Sequence, residues 1–144
     1  MCRLIATVFF AGHIPFAPGT FGSLAALFLY YLIKGNPLAV TAALGLSLLA
    51  GFLSAGTAEK YFRKKDPRCI VIDEFAGMLI ALLFLPPHPA YILAAFFLFR
   101  FFDVVKIWPI AGFERLKGST GIMLDDIVAG LYTNLILQAI HKIL

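Results

Sequence analysis

Residues 70–85 read IVIDEFAGMLIALLFL, an apolar run interrupted near its start by Asp73-Glu74. The fold turns on this stretch. It shows no period-two alternation, and a largely apolar run of this length reads as a helix rather than a strand. Carboxylates in such a helix are costly to bury, which makes them functional-site candidates by default. A second stretch, IMLDDIVAGLYTNLILQAI at residues 122–140, carries Asp125-Asp126 in a comparable setting. Each acid pair has a glycine one turn on: Gly77 follows Asp73, and Gly130 follows Asp126. A small residue there lets a neighbouring helix approach closely.

Three more apolar stretches lie at roughly 20–33, 38–56 and 90–108. Lys34-Gly35-Asn36-Pro37 and Pro86-Pro87-His88-Pro89 break the chain between spans, and a polar link runs from Gly112 to Gly121. The chain is 61% hydrophobic with a mean hydropathy of +0.92, whereas soluble domains are about 45–50% apolar. Too little polar surface exists to coat a soluble helical protein. The expected fold is all-α: one domain over residues 1–144, a small polytopic membrane protein with about five helical spans. Residues 1–12 are too short to cross and suggest an interfacial or re-entrant helix. A full span takes ~17–25 residues, so 20–33 and 70–85 are short unless they borrow from their flanks.

The net charge of +4 matters less than its placement. Lys60, Arg63, Lys64, Lys65 and Arg68 crowd one short segment between apolar spans. Nucleic acid is a poor partner for so short a patch. The positive-inside rule places this loop in the cytoplasm, where it would also attract anionic headgroups. Counting spans from it puts residues 1–19 and 106–121 inside, and 34–37 and 86–89 outside. Arg115 and Lys117 then fall inside as well. On this topology Ala17–Thr20, Asp73-Glu74, Arg100-Asp103-Lys106 and Asp125-Asp126 share one membrane level, although none of them was used to choose the orientation.

Five of the eight carboxylates therefore gather with an Arg and a Lys, a set suited to a divalent cation and a phosphate. Arg100, Asp103 and Lys106 follow an i, i+3, i+6 spacing that puts them on one side of a helix; an internal salt-bridge ladder fits the same spacing. Adjacent acids point ~100° apart on a helix. One of each pair could hold metal while its neighbour supports it or meets a lysine. Helix-dipole stabilisation is the competing account of an acid pair at a helix start. Pro18–Ser23 opens a helix with Gly19, Thr20, Gly22 and Ser23, either a phosphate cradle of backbone amides or an ordinary N-cap. His13 is within possible reach of the site, whereas His88 and His141 read as solvated. Cys2 and Cys69 have no metal-binding spacing, and Trp108 reads as an interface anchor.

These motifs, in this order, resemble the phosphatidylglycerophosphatase A family of bacterial inner-membrane lipid phosphatases. The matching text is APGTFGS at 17–23, VIDE at 71–74 with Gly77, FRFFDVVK at 99–106 with Trp108-Pro109-Ile110, and GIMLDDIVAG at 121–130. Phe16, Ile107 and Ser119-Thr120 depart from the family pattern without touching an acid or a cation. The resemblance implies magnesium-dependent hydrolysis of phosphatidylglycerophosphate to phosphatidylglycerol and phosphate, at the cytoplasmic face of the bacterial inner membrane. Asp73, Asp103 and Asp126 are then the expected metal ligands, with Glu74 and Asp125 as their catalytic partners. Arg100 and Lys106, with Gly19, Thr20 and Ser23, would hold the phosphate. Attack by activated water and a covalent aspartyl-phosphate both remain open. So do a magnesium-dependent lipid phosphotransferase and, further off, a small cation-coupled transporter. Nothing in the sequence fixes an oligomeric state.

Overall fold

The computed structural model describes residues 2–13, 16–33, 36–62, 69–108, 110–113, 116 and 118–143. The expected basic residues Arg63, Lys64, Lys65, Arg68, Arg115 and Lys117 lie outside that set, as do Lys34 and Pro109. The described chain is helical, with no strand: α1 (Cys2–Ala6), α2 (Pro18–Leu32), α3 (Pro37–Phe62), α4 (Ile72–Leu82), α5 (Pro89–Val105), α6 (Ile110–Phe113) and α7 (Ser119–Ile143). A single 3₁₀ turn, Ala11–His13, precedes α2. Three helices begin on a proline, whose fixed φ and missing N–H suit the first helical position. Asn36 caps α3 by accepting from the amides of Leu38 (3.0 Å) and Ala39 (3.2 Å). His88 Nδ1 caps α5 by accepting from Ala90 N–H at 3.3 Å.

α4 is the centre of the molecule. It packs chiefly against α7 and α2, and also touches α3 and α5. From Ala76 to Leu82 every one of its residues is buried. Glycine makes the α4–α7 crossing possible. A Cβ on Gly77 would lie 2.7 Å from the Asp126 carbonyl oxygen and 2.7 Å from the Phe99 ring, and one on Gly130 would collide with the Gly77 carbonyl. The glycines one turn beyond the acids thus set the helix separation, as their spacing suggested.

Two helices, α3 and α7, are long and apolar enough to cross a membrane. The five crossings expected from the sequence are not confirmed. α4 has 11 residues and is about 16 Å long, well short of a ~30 Å hydrocarbon core. Beyond Leu82 the chain turns at Leu83-Phe84 and runs on irregularly to His88. A helix that ends inside a protein leaves its last carbonyls without partners, and here other helices supply them. Asn134 Nδ2 donates to the carbonyls of Ala81 (3.1 Å) and Leu83 (2.8 Å), Gln138 Nε2 donates to Leu83 (3.3 Å), and Tyr30 Oη donates to Leu85 (3.3 Å). The N-terminal residues form the short α1, which packs on α3; its Ala6 carbonyl accepts from Val71 N–H at 2.9 Å, just ahead of α4.

Candidate active site

The site lies at the N-terminal end of α4. Asp73 and Glu74 occupy the first turn of that helix, where the exposed amide dipoles favour negative charge. Asp125 and Asp126 lie in α7, but not in its first turn, which holds no acid. The helix begins at Ser119, earlier than the polar link suggested. Ser119 Oγ accepts from Gly56 N–H at 2.7 Å and ties that start to α3. Helix-dipole stabilisation therefore does not account for the second acid pair.

The tightest group is Asp73, Glu74 and Asp126, each offering a carboxylate oxygen within 4.8 Å of the others. Asp126 is 3% exposed and Asp73 is 6% exposed. Among the described residues, Glu74 Oε2 and Asp126 Oδ1 are buried with no hydrogen-bond partner. Asp103, Glu74 and Asp125 each act on Asp126 as neighbouring negative charges. Asp103 thus belongs to the same cluster but not to the tightest group, where Glu74 takes the position expected of it. Asp103 pairs instead with Arg100 Nη1 at 2.5 Å, across one helical turn.

Lys106 departs from the expected helix face. α5 stops at Val105, and Lys106 caps it in the left-handed conformation (φ 47°), with its N–H on the Phe102 carbonyl. Such a φ is uncommon for a residue with a side chain and is found disproportionately at functional sites. Its Nζ reaches Asp125 Oδ2 at 2.8 Å. Among the described residues the ladder keeps its Arg100–Asp103 step, while Lys106 reaches across to α7. The Asp125-Asp126 pair divides as the 100° offset suggested, one acid toward a lysine and the other into the acid group. Asp73-Glu74 does not divide, because both join that group.

The start of α2 closes the other side. Gly19 lies against Glu74 Oε1, and a Cβ on it would fall 3.1 Å from Arg100 Nη1. Ala17, immediately before the helix, is left-handed at φ 50°. Its carbonyl accepts from Thr20 N–H (3.0 Å) and Phe21 N–H (3.4 Å). Ser23 is buried, and its hydroxyl donates to the Gly19 carbonyl at 3.1 Å. Gly19 therefore reaches the cluster, while Ser23 serves its own helix. The His13 side chain lies outside the described residues; His88 and His141 lie exposed, with His141 on Tyr91 Oη at 3.0 Å.

Among the described residues, five carboxylates thus gather with two cations, Arg100 and Lys106. Oxygen-only donors, excess negative charge and two unpartnered buried oxygens fit a hard divalent cation such as magnesium. Sequence reasoning passed over the amides that cap α4, Asn134 and Gln138. Their signal was available: strongly polar side chains within an apolar span pair with something.

A profile of the phosphatidylglycerophosphatase A family matches residues 4–141. Among relatives, a Bacteroides thetaiotaomicron protein provisionally named a phosphatidylinositol-3-phosphatase is 40% identical, over 90% of this chain and 87% of its own. Phosphatidylglycerophosphatase A of Escherichia coli K12 is 39% identical over 90% of this chain and 77% of its own. That of Haemophilus influenzae Rd is also 39% identical, over 96% and 88%. No solved structure matches.

Proposed function

The chain belongs to the phosphatidylglycerophosphatase A family, and from that premise we propose that it hydrolyses phosphatidylglycerophosphate to phosphatidylglycerol and phosphate, with magnesium, at the cytoplasmic face of the inner membrane. The observation that carries this reading is the Asp73–Glu74–Asp126 group, its two aspartates buried and its glutamate half-buried, with Arg100 and Lys106 paired to the neighbouring Asp103 and Asp125.

Asp73, Glu74 and Asp126 would hold the cation, with Asp103 beside them. Once bound, magnesium supplies Lewis-acid polarisation of a phosphoryl oxygen. The chain's own groups do the rest. Arg100 turns part of its guanidinium from Asp103 to the phosphate oxygens, a charge-assisted contact. Lys106, held by Asp125, offsets charge that develops on the phosphoryl group. The unpartnered Glu74 Oε2 accepts a proton from the attacking water. The water oxygen bonds to phosphorus as the P–O bond to the glycerol oxygen breaks, and that oxygen takes up a proton from solvent water and leaves as the alcohol of phosphatidylglycerol.

Membrane embedding is supported by α3 and α7 and by large apolar side chains exposed over the surface, among them Leu38, Leu46, Leu53 and Phe97. Exposed apolar area on that scale marks a membrane or partner surface. The basic run from Lys60 to Arg68 lies just ahead of Asp73 in the sequence, which supports a cytoplasmic site by the positive-inside rule.

The name of the Bacteroides relative points to a second headgroup within the same chemical class, the lipid phosphomonoester. Phosphate release from phosphatidylglycerophosphate and from phosphatidylinositol-3-phosphate, with magnesium and with excess EDTA, tests both. Magnesium-dependent release from the first, faster than from the second, is expected. EDTA-resistant release, or none from folded protein, would overturn the reading.

A further inference from the structure

The segment between α1 and the 3₁₀ turn has an unusual backbone. Val8, Phe9 and Phe10 are all left-handed, at φ 45°, 52° and 70°. None is glycine, and a run of three such residues is disfavoured for L-amino acids. Strain of this kind persists only where the surroundings hold it. The base is held firmly. Thr7 is fully buried, and Phe10 N–H donates to its hydroxyl at 3.3 Å. Phe9 N–H donates to the Leu4 carbonyl at 2.9 Å, and Gly12 N–H to the Thr7 carbonyl at 3.1 Å.

The tip is open. Phe9 is 84% exposed, Phe10 52% and Phe16 82%. A connection that served only to turn the chain would place glycine, asparagine or aspartate at these angles. Here the left-handed turn carries two phenylalanines outward instead.

Its location is at the acid site. The Ala6 carbonyl accepts from Val71 N–H, and Gly12 packs on the Cys69 backbone. Both anchors lie within four residues of Asp73. Phe16 precedes Ala17 and Gly19, which abuts Glu74. Exposed aromatics therefore neighbour, along the chain, residues whose backbones meet the segments leading to Asp73 and Glu74. The neighbouring sequence, Lys60 to Arg68, carries five cations, which complement an anionic headgroup surface.

We propose that the Val8–Phe10 turn and Phe16 form an aromatic lip that enters the acyl region of the bilayer beside the site and favours a membrane-held diacyl phosphomonoester over a soluble one. Aromatic residues at a membrane–water interface, next to basic residues, have this physical role. The substrate preference rests on the proposed phosphatase reading; the contact with lipid does not.

The test has two arms. In a Trp108→Phe background, Phe9→Trp supplies a single tryptophan. Lipids brominated high on the acyl chain should quench it strongly in proteoliposomes, while aqueous iodide should not; the reverse pattern overturns the lip. In the second arm, Phe9→Ser/Phe10→Ser is assayed on long-chain phosphatidylglycerophosphate in vesicles and on its dihexanoyl analogue as monomer. The long-chain to short-chain ratio of kcat/KM should fall about tenfold or more, the scale of losing a buried phenylalanine contact. An unchanged ratio, with both rates falling together or neither falling, overturns the proposed preference. Loss of phosphatase activity in the unmutated protein would be seen separately and would leave the quenching arm readable.

Discussion

The two ends of α4 are built from opposite principles. At its C-terminal end, the carbonyls of Ala81, Leu83 and Leu85 are met by Asn134, Gln138 and Tyr30. At its N-terminal end, Glu74 Oε2 and, across the crossing, Asp126 Oδ1 are buried with no hydrogen-bond partner among the described residues. One short helix thus carries a satisfied end and an unsatisfied one. Burying a polar atom without a partner costs free energy, so the contrast separates architecture from chemistry: the amides complete the fold, and the unpartnered acid oxygens are the ones the proposed cation would complete.

The largest effect expected from breaking this contrast is at Asp126. Asp126→Asn keeps the size of the side chain and removes a charge from the acid group. Turnover should fall about 10³-fold or more, since losing several kcal/mol of transition-state stabilisation costs a factor of ten per 1.36 kcal/mol. The folded fraction should hold or rise, because one repelling charge is gone; a variant with normal phosphate release would remove Asp126 from the chemistry.

Lys106→Met removes the cation 2.8 Å from the buried Asp125, at a cost on the order of 3 kcal/mol in unfolding free energy. Adding Asp125→Asn should recover most of that loss, because no charge is then stranded. Denaturation of the single and double variants in detergent gives the coupling between them; additive losses would mean that the 2.8 Å pair does not hold Lys106 in place.

Gly130→Ala probes the crossing itself. Its new methyl group meets the Gly77 carbonyl, and separating two packed helices should cost on the order of 2 kcal/mol. Activity should fall with it, since the same crossing brings Asp126 to Asp73. The smallest effect is expected at the satisfied end. Asn134→Leu strips donors from two carbonyls, worth about 1 kcal/mol for an interhelical hydrogen bond in a membrane protein, with saturating turnover nearly unchanged. A large loss of turnover in Asn134→Leu would mean that the two ends of α4 are coupled.

Much of the site was legible in the sequence because its signals are local. Asp73-Glu74 and Asp125-Asp126 stand out against apolar text, and Gly77 and Gly130 sit one turn beyond them. Their convergence with Arg100 and Gly19 followed from counting spans. What was missed depends on where helices stop. Residues 70–85 look like one continuous span, yet α4 ends at Leu82. The only nearby breakers, Pro86-Pro87, act after the helix has already ended. Lys106 was assigned to a helix face because nothing at Val105-Lys106 announces a left-handed cap; no glycine or asparagine marks it. Its true partner, Asp125, is a tertiary contact that spacing along α5 does not encode. The exchange of Asp103 for Glu74 in the tightest acid group has the same origin, since both acids of α4 turn toward α7.

The most direct test of the central claim is manganese binding, followed by electron paramagnetic resonance, in unmutated protein and in Asp126→Asn. Manganese substitutes for magnesium at oxygen-rich sites. One tightly bound ion in the unmutated protein, displaced by magnesium and lost in Asp126→Asn, is the predicted result. Equal binding by both proteins, or no bound ion in either, would contradict the assignment of Asp73, Glu74 and Asp126 as a cation site.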